Sequence, residues 1–210
     1  MGQQVVPYEE ALERARALAA SGERRLLGLT GMPGAGKSTV AARLVEDLGG
    51  LAVLVPMDGF HLANDELVRL RRRDRKGAPD TFDSAGFVAL LRRLREPEAG
   101  VTVYAPRFTR TIEEPIAGAI PVPAEVPLVV TEGNYLLVAE GSWAGIGPLL
   151  DEAWFVEAEE SLRLARLVAR HAAFGKSPDE ARRWATGSDQ LNAAVVGGTR
   201  DRADLVVLCS

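Results

Sequence analysis

The chain predicts an α/β fold: a three-layer sandwich with a mostly parallel central sheet and a helical lid. Three observations carry that expectation. Short apolar runs alternate with helical patterns along the length. The run at 25–30 leads through Gly31-Met32-Pro33-Gly34-Ala35-Gly36-Lys37-Ser38 directly into a helical pattern at 38–48. Two further apolar runs, 51–56 and 128–133, each deliver an acid at a strand end, Asp58 and Glu132. With 210 residues, 47% of them apolar, the chain can bury one good core. Residues 1–210 are expected to form one domain, with the lid at about 159–186.

The segment 1–21 has acids and arginines around apolar Leu12, Ala15, Leu18 and Ala19, which predicts an amphipathic helix in place of a signal peptide. No stretch approaches the roughly 20 uncharged residues of a membrane span. A net charge of −4 argues against nucleic-acid binding through a broad basic surface. The single cysteine, Cys209, has no intramolecular partner, which fits a reducing cytoplasm. A homodimer is left open.

The glycines at 31, 34 and 36 let the backbone wrap tightly, so that successive N–H groups and a helix N-terminus face negative charge. The pattern points to a nucleoside triphosphate. Lys37 is expected to reach its β/γ-phosphates and Ser38 to ligate magnesium, with Gly31, Pro33, Gly34, Ala35, Gly36 and Thr39 completing the contacts. Only three lysines stand among 25 basic residues, at 37, 76 and 176; Lys37 presents a compact point charge that suits phosphates, while Lys76 and Lys176 are either functional or ordinary solvated lysines.

Asp58 follows a buried strand, at the edge where open parallel sheets bind ligands, and is a candidate for the reaction centre. A basic helical stretch at 64–73 precedes the polar loop 76–83, and Asp83 either caps the helix at 84–95 or touches substrate. A strand at 101–105 runs into Pro106-Arg107-Phe108-Thr109-Arg110. The proline-bearing segment 116–127 predicts a hairpin or extended connector. Glu132 is placed to hold the magnesium shell. Strands follow at 152–157 and 203–208. Between them, the helix at 161–173 aligns Arg163, Arg166 and Arg170 along one face, opposite Leu162, Ala165 and Val168. That row is either a solvated face or a lid over the triphosphate. Ser177-Pro178-Asp179-Glu180 is a capping box that opens another helix.

The phosphate loop, Asp58 within Asp-Gly-Phe, the stretch 75–83, Pro106-Arg107-Phe108 and Thr131-Glu132-Gly133 together resemble the P-loop kinases that include bacterial pantothenate kinase, uridine kinase and phosphoribulokinase. The motifs Met57-Asp58-Gly59-Phe60-His61 and Glu132-Gly133-Asn134-Tyr135-Leu136 resemble most a small bacterial branch described as nucleoside or nucleotide kinase-like, as pantothenate kinase-like, or as kinase of a fructose transport system. The resemblance implies a P-loop NTPase sandwich and transfer of the ATP γ-phosphoryl group to a hydroxyl on a small molecule. It implies Asp58 as general base and, with Ser38 and Glu132, as part of the magnesium site. It places Arg163 and Arg166 on phosphates and 192–199, including Asn192, near adenine; Arg170 extends the row. His61, Lys76, Tyr104, Arg107, Arg110, Asn134 and Tyr135 are candidates for the acceptor pocket. The alternative is an ATPase or switch acting on a protein partner; the Asn-Lys-x-Asp signature of guanine-binding switches does not occur.

Overall fold

The computed structural model describes residues 3–175 and 177–209; Lys176, singled out above, lies outside them. In chain order the elements are β1 (Gln4–Val6), α1 (Tyr8–Ala19), β2 (Arg25–Thr30), α2 (Lys37–Leu48), β3 (Ala52–Pro56), α3 (Asn64–Arg69), α4 (Ser84–Arg95), β4 (Val103–Thr109), β5 (Glu114–Val122), β6 (Leu128–Glu132), β7 (Glu152–Glu157), α5 (Glu160–Ala173), α6 (Pro178–Thr186), α7 (Ser188–Gly197) and β8 (Leu205–Leu208). Six strands form one sheet in the order β1-β8-β7-β2-β6-β3. Every pairing in it is parallel. β4 and β5 form a separate antiparallel pair.

Apolar residues occupy both faces of the inner strands, as expected of a parallel sheet covered on each side. Along β2, Leu26 joins one core cluster while Leu27 and Leu29 join the other. In β7, Phe155 faces the first cluster and Trp154 and Val156 the second. The second cluster is closed by α1 and α2 through Ala11, Ala15, Val40 and Leu44. On the first side sit α4, through Phe87 and Leu91, and the pair β4–β5, through Val103, Ala105, Ile120 and Val122. Among the described residues no helix is long and apolar enough to cross a membrane.

Some elements differ from expectation for identifiable reasons. β1 has only three residues, two of them exposed, too few for periodicity to register. α3 stops at Arg69 because Arg71 turns to φ 57°, which ends the helix before the expected 73. α7 escaped notice because its apolar residues fall on more than one face: Ala193 and Val196 are buried, Leu191 and Val195 exposed. Asp83 caps α4, its Oδ1 accepting from the Gly86 N–H at 2.8 Å. Ser177 and Glu180 form the expected capping box.

Candidate active site

β2 ends at Thr30, and the chain turns through the phosphate loop into the first residue of α2, Lys37. Gly34 (φ 84°) cannot be replaced cheaply: a Cβ there would lie 2.6 Å from the Arg163 carbonyl oxygen. Lys37 is buried, and its Nζ donates to the Met32 carbonyl at 3.2 Å. Desolvation lowers its pKa to about 8, against the opposing pull of Glu132 and Asp58. One residue on, Ser38 Oγ donates to Glu132 Oε1 at 3.2 Å. Burial, reinforced by the Asp58 charge, holds the Glu132 carboxyl well above the usual carboxylate range. Thr39 is exposed on the same helix turn.

This wall fits a magnesium–triphosphate ligand. Ser38 and Glu132 present hard oxygen donors beside a buried ammonium. Magnesium keeps most of its shell as water and phosphate, so few protein ligands are needed. Among the described residues no group of three His, Cys, Asp or Glu is arranged to hold a metal by itself.

The opposite wall of the same cleft, whose volume is about 230 Å³, contains Asp58, His61, Lys76, Phe82, Phe108 and Arg110. Asp58 lies in the turn after β3, with Arg110 Nη2 3.8 Å from its Oδ2. His61 Nδ1 is 2.8 Å from the Asp58 carbonyl; a carbonyl only accepts, so Nδ1 carries the proton. Its ring lies 4.0 Å from Phe82 and 4.6 Å from Phe108, and burial pushes its pKa down. Lys76 Nζ donates to Asn64 Oδ1 at 2.7 Å and to the Glu113 carbonyl, with the ammonium 5.1 Å from the Phe108 ring centroid.

Asn134 lines the cleft. Tyr135 is fully buried, and its hydroxyl donates to the Gly77 carbonyl, which also accepts from Asn192 Nδ2 at 3.4 Å. The two residues expected at acceptor and adenine therefore converge on one carbonyl of the loop that carries Lys76. Tyr104 and Arg107 fall outside the cleft. Tyr104 is 59% exposed, and Arg107 is turned to the Ala119 carbonyl at 3.1 Å. The register shift between Ala105 and Arg107 brings Phe108 inward in place of Arg107.

The arginine row splits by depth. Arg163 is buried and donates to the Pro33 carbonyl at 3.0 Å and to Glu160 and Gln190. It grips the phosphate loop from behind and does not line the cleft. Arg166 Nη1 lies 3.6 Å from Cys209 Sγ, beside Gly36, while Arg170 lines the cleft. The face expected to pack, Leu162, Ala165 and Val168, is the wetter one: Ala165 is exposed and the other two half-buried. Sequence reasoning missed His171, Phe174, Trp184 and Asp189, which line the cleft from α5, the turn after it, α6 and α7, with His171 Nε2 2.7 Å from Asp189 Oδ2. No spacing signal links residues on three different helices.

The model of the phosphoribulokinase / uridine kinase family matches residues 26–206. A candidate uridine kinase of Schizosaccharomyces pombe is 34% identical over 97% of this chain and 91% of its own length. A pantothenate kinase of Sinorhizobium medicae is 31% identical over 93% of this chain and 69% of its own. Among solved structures, a candidate fructose transport system kinase from a Silicibacter species superposes with a TM-score of 0.81 at 37% identity, covering 95% of this chain and 96% of that one. These names differ in substrate and agree in chemistry. The chain belongs to the phosphoribulokinase / uridine kinase family and is an ATP-dependent phosphotransferase that acts on a hydroxyl group.

Proposed function

We propose that the chain phosphorylates a nucleoside-, pantothenate- or sugar-like acceptor, with Asp58 as general base. The observation that carries this reading is that Asp58 shares one small cleft with Lys37, Ser38 and Glu132. Asp58 accepts the proton of the acceptor hydroxyl while that oxygen bonds to the γ-phosphorus and the bond to departing ADP breaks. The alcohol becomes acidic only as its bond to phosphorus forms, so a carboxylate suffices. Lys37 neutralises charge on the phosphates, and Arg170 approaches from the lid. Ser38 and Glu132 would hold magnesium, which when bound would supply charge neutralisation for the phosphoryl transfer. Residues 159–186 act as a lid within a single 1–210 domain, in a cytoplasmic setting that suits the lone cysteine.

The test is ADP release from MgATP with a panel of pantothenate, uridine, cytidine, fructose and related polyols, with Asp58→Asn as control. An acceptor should raise turnover in the parent protein, and Asp58→Asn should bind ATP normally but turn over about 100-fold more slowly or worse. Undiminished turnover in the variant would remove Asp58 from the base role.

A further inference from the structure

The stretch Arg72-Arg73-Asp74-Arg75-Lys76 divides its charges between two environments. Arg72 and Arg75 both pair with Asp80, at 3.3 and 2.7 Å. Arg73 and Lys76 instead line the cleft that contains Asp58. Lys76 is held in place by two uncharged acceptors, Asn64 Oδ1 and the Glu113 carbonyl, and no carboxylate forms an ion pair with it among the described residues. Arg73 likewise makes no ion pair there. Burial is the main reason the Lys76 pKa is pushed down; the Glu113 and Glu114 charges pull it back up, and the Arg73 charge adds to the lowering. Of the acids lining the cleft, Glu132 is bonded by Ser38, Asp189 by His171, and Asp58 faces Arg110 at 3.8 Å; Glu113, which also lines the cleft, and Glu114 attract Lys76 without forming an ion pair with it among the described residues.

A half-buried ammonium fixed at contact distance by neutral groups, with a second cation nearby and its acids Glu113 and Glu114 held short of an ion pair, leaves positive charge facing the cleft that an anion can occupy. The arrangement runs against the composition, since the chain as a whole is acidic. Ordering Lys76 through Asn64 and Glu113 also removes the rotamer freedom that would otherwise be lost on binding.

We infer that the acceptor carries an anionic group, a carboxylate or a phosphate, which Lys76 and Arg73 bind in the cleft that places its hydroxyl at Asp58. This rests on the kinase reading above and narrows it: neutral nucleosides and free sugars become poor substrates.

The experiment uses matched pairs of acceptors differing in one charged group: pantothenate against pantothenol, gluconate against glucitol, ribose 5-phosphate against ribose. ADP release is followed for the parent protein, Lys76→Met and Arg73→Met. A charged member should exceed its neutral partner in kcat/KM by about tenfold or more. Each variant should raise KM for that charged member and leave KM for ATP unchanged. Whether the carboxylate or the phosphate pair responds identifies the source of the charge. Arg73→Met guards against misfolding, because Arg73 is exposed and makes no ion pair among the described residues. Neutral members that match or exceed the charged ones, or variants with unaltered acceptor KM, would overturn the inference while leaving the kinase reading intact. Absence of turnover with every pair would count against the kinase reading. Calorimetry with the charged members then decides the anion site: binding lost in both variants supports it, and no binding to the parent protein overturns it.

Discussion

Arg163 Nη1 donates to the Pro33 carbonyl at 3.0 Å from a position only 1% exposed. Helix α5 is thereby fastened to the phosphate loop through a desolvated charge, with Glu160 and Gln190 satisfying the rest of the guanidinium. Removing the side chain leaves a cavity and an unpaired loop carbonyl. Arg163→Ala is expected to lower unfolding free energy by about 3 kcal/mol and to weaken ATP binding as well. Denaturant unfolding and calorimetric titration with ATP check both; an unchanged midpoint and affinity would mean the loop does not depend on this clamp.

Glu132 is the reverse case, a carboxylate kept where water would solvate it better. Its pKa is raised in the folded state, so its contribution to stability is fully present below the unfolded carboxylate value, about 4. That contribution is lost as pH rises through the folded value. Near pH 7.5 Glu132→Gln should therefore stabilise the ligand-free protein by about 1–3 kcal/mol, with the gain vanishing below about pH 4. Turnover should fall. Urea unfolding across pH 4–8 measures the first effect and ADP release the second.

Gly59, directly after Asp58, permits a close approach between backbones. A Cβ there would lie 2.4 Å from the Pro106 carbonyl oxygen and 2.8 Å from its carbon, both main-chain atoms of β4. Gly59→Ala should cost about 1–3 kcal/mol by forcing β4 away from the Asp58 turn, and turnover should drop more than ATP affinity. Thermal unfolding beside a nucleotide titration separates the two; a variant equal to the parent protein in both would show that the strand yields freely.

Tyr135→Phe deletes only the hydroxyl that donates to Gly77. The loop holding Lys76 then hangs on Asn192 alone at that carbonyl. A loss of about 1 kcal/mol at this contact predicts a roughly fivefold rise in acceptor KM with KM for ATP unchanged. Equal changes in both constants would mean that the hydroxyl supports the whole cleft instead of the acceptor loop.

What could be read from the letters follows from how local the determinant is. Strand, phosphate loop and helix at 25–48 are specified by contiguous residues, and the acids at 58 and 132 follow from strand direction alone. Arg163 is different: its inward orientation depends on α5 docking against Pro33, a partner 130 residues away. The exclusion of Arg107 depends on a bulge that no composition rule marks. Trp184 and Asp189 reach the cleft only because α6 and α7 fold back over it, so their role is a product of tertiary packing.

The edge strand carries a consequence for synthesis. β1 pairs with β8 in register Gln4↔Leu205 to Val6↔Val207, so residues 4–6 depend for their partner on a strand far along the chain. A chain emerging from the ribosome holds residues 4–6 unmatched until 205–208 have been made. Until β8 arrives, β7 also lacks its neighbour on that side and presents an open edge of buried-type residues. Deleting residues 205–208 would thus cost two strands, and the half-built sheet would be the species most prone to aggregate.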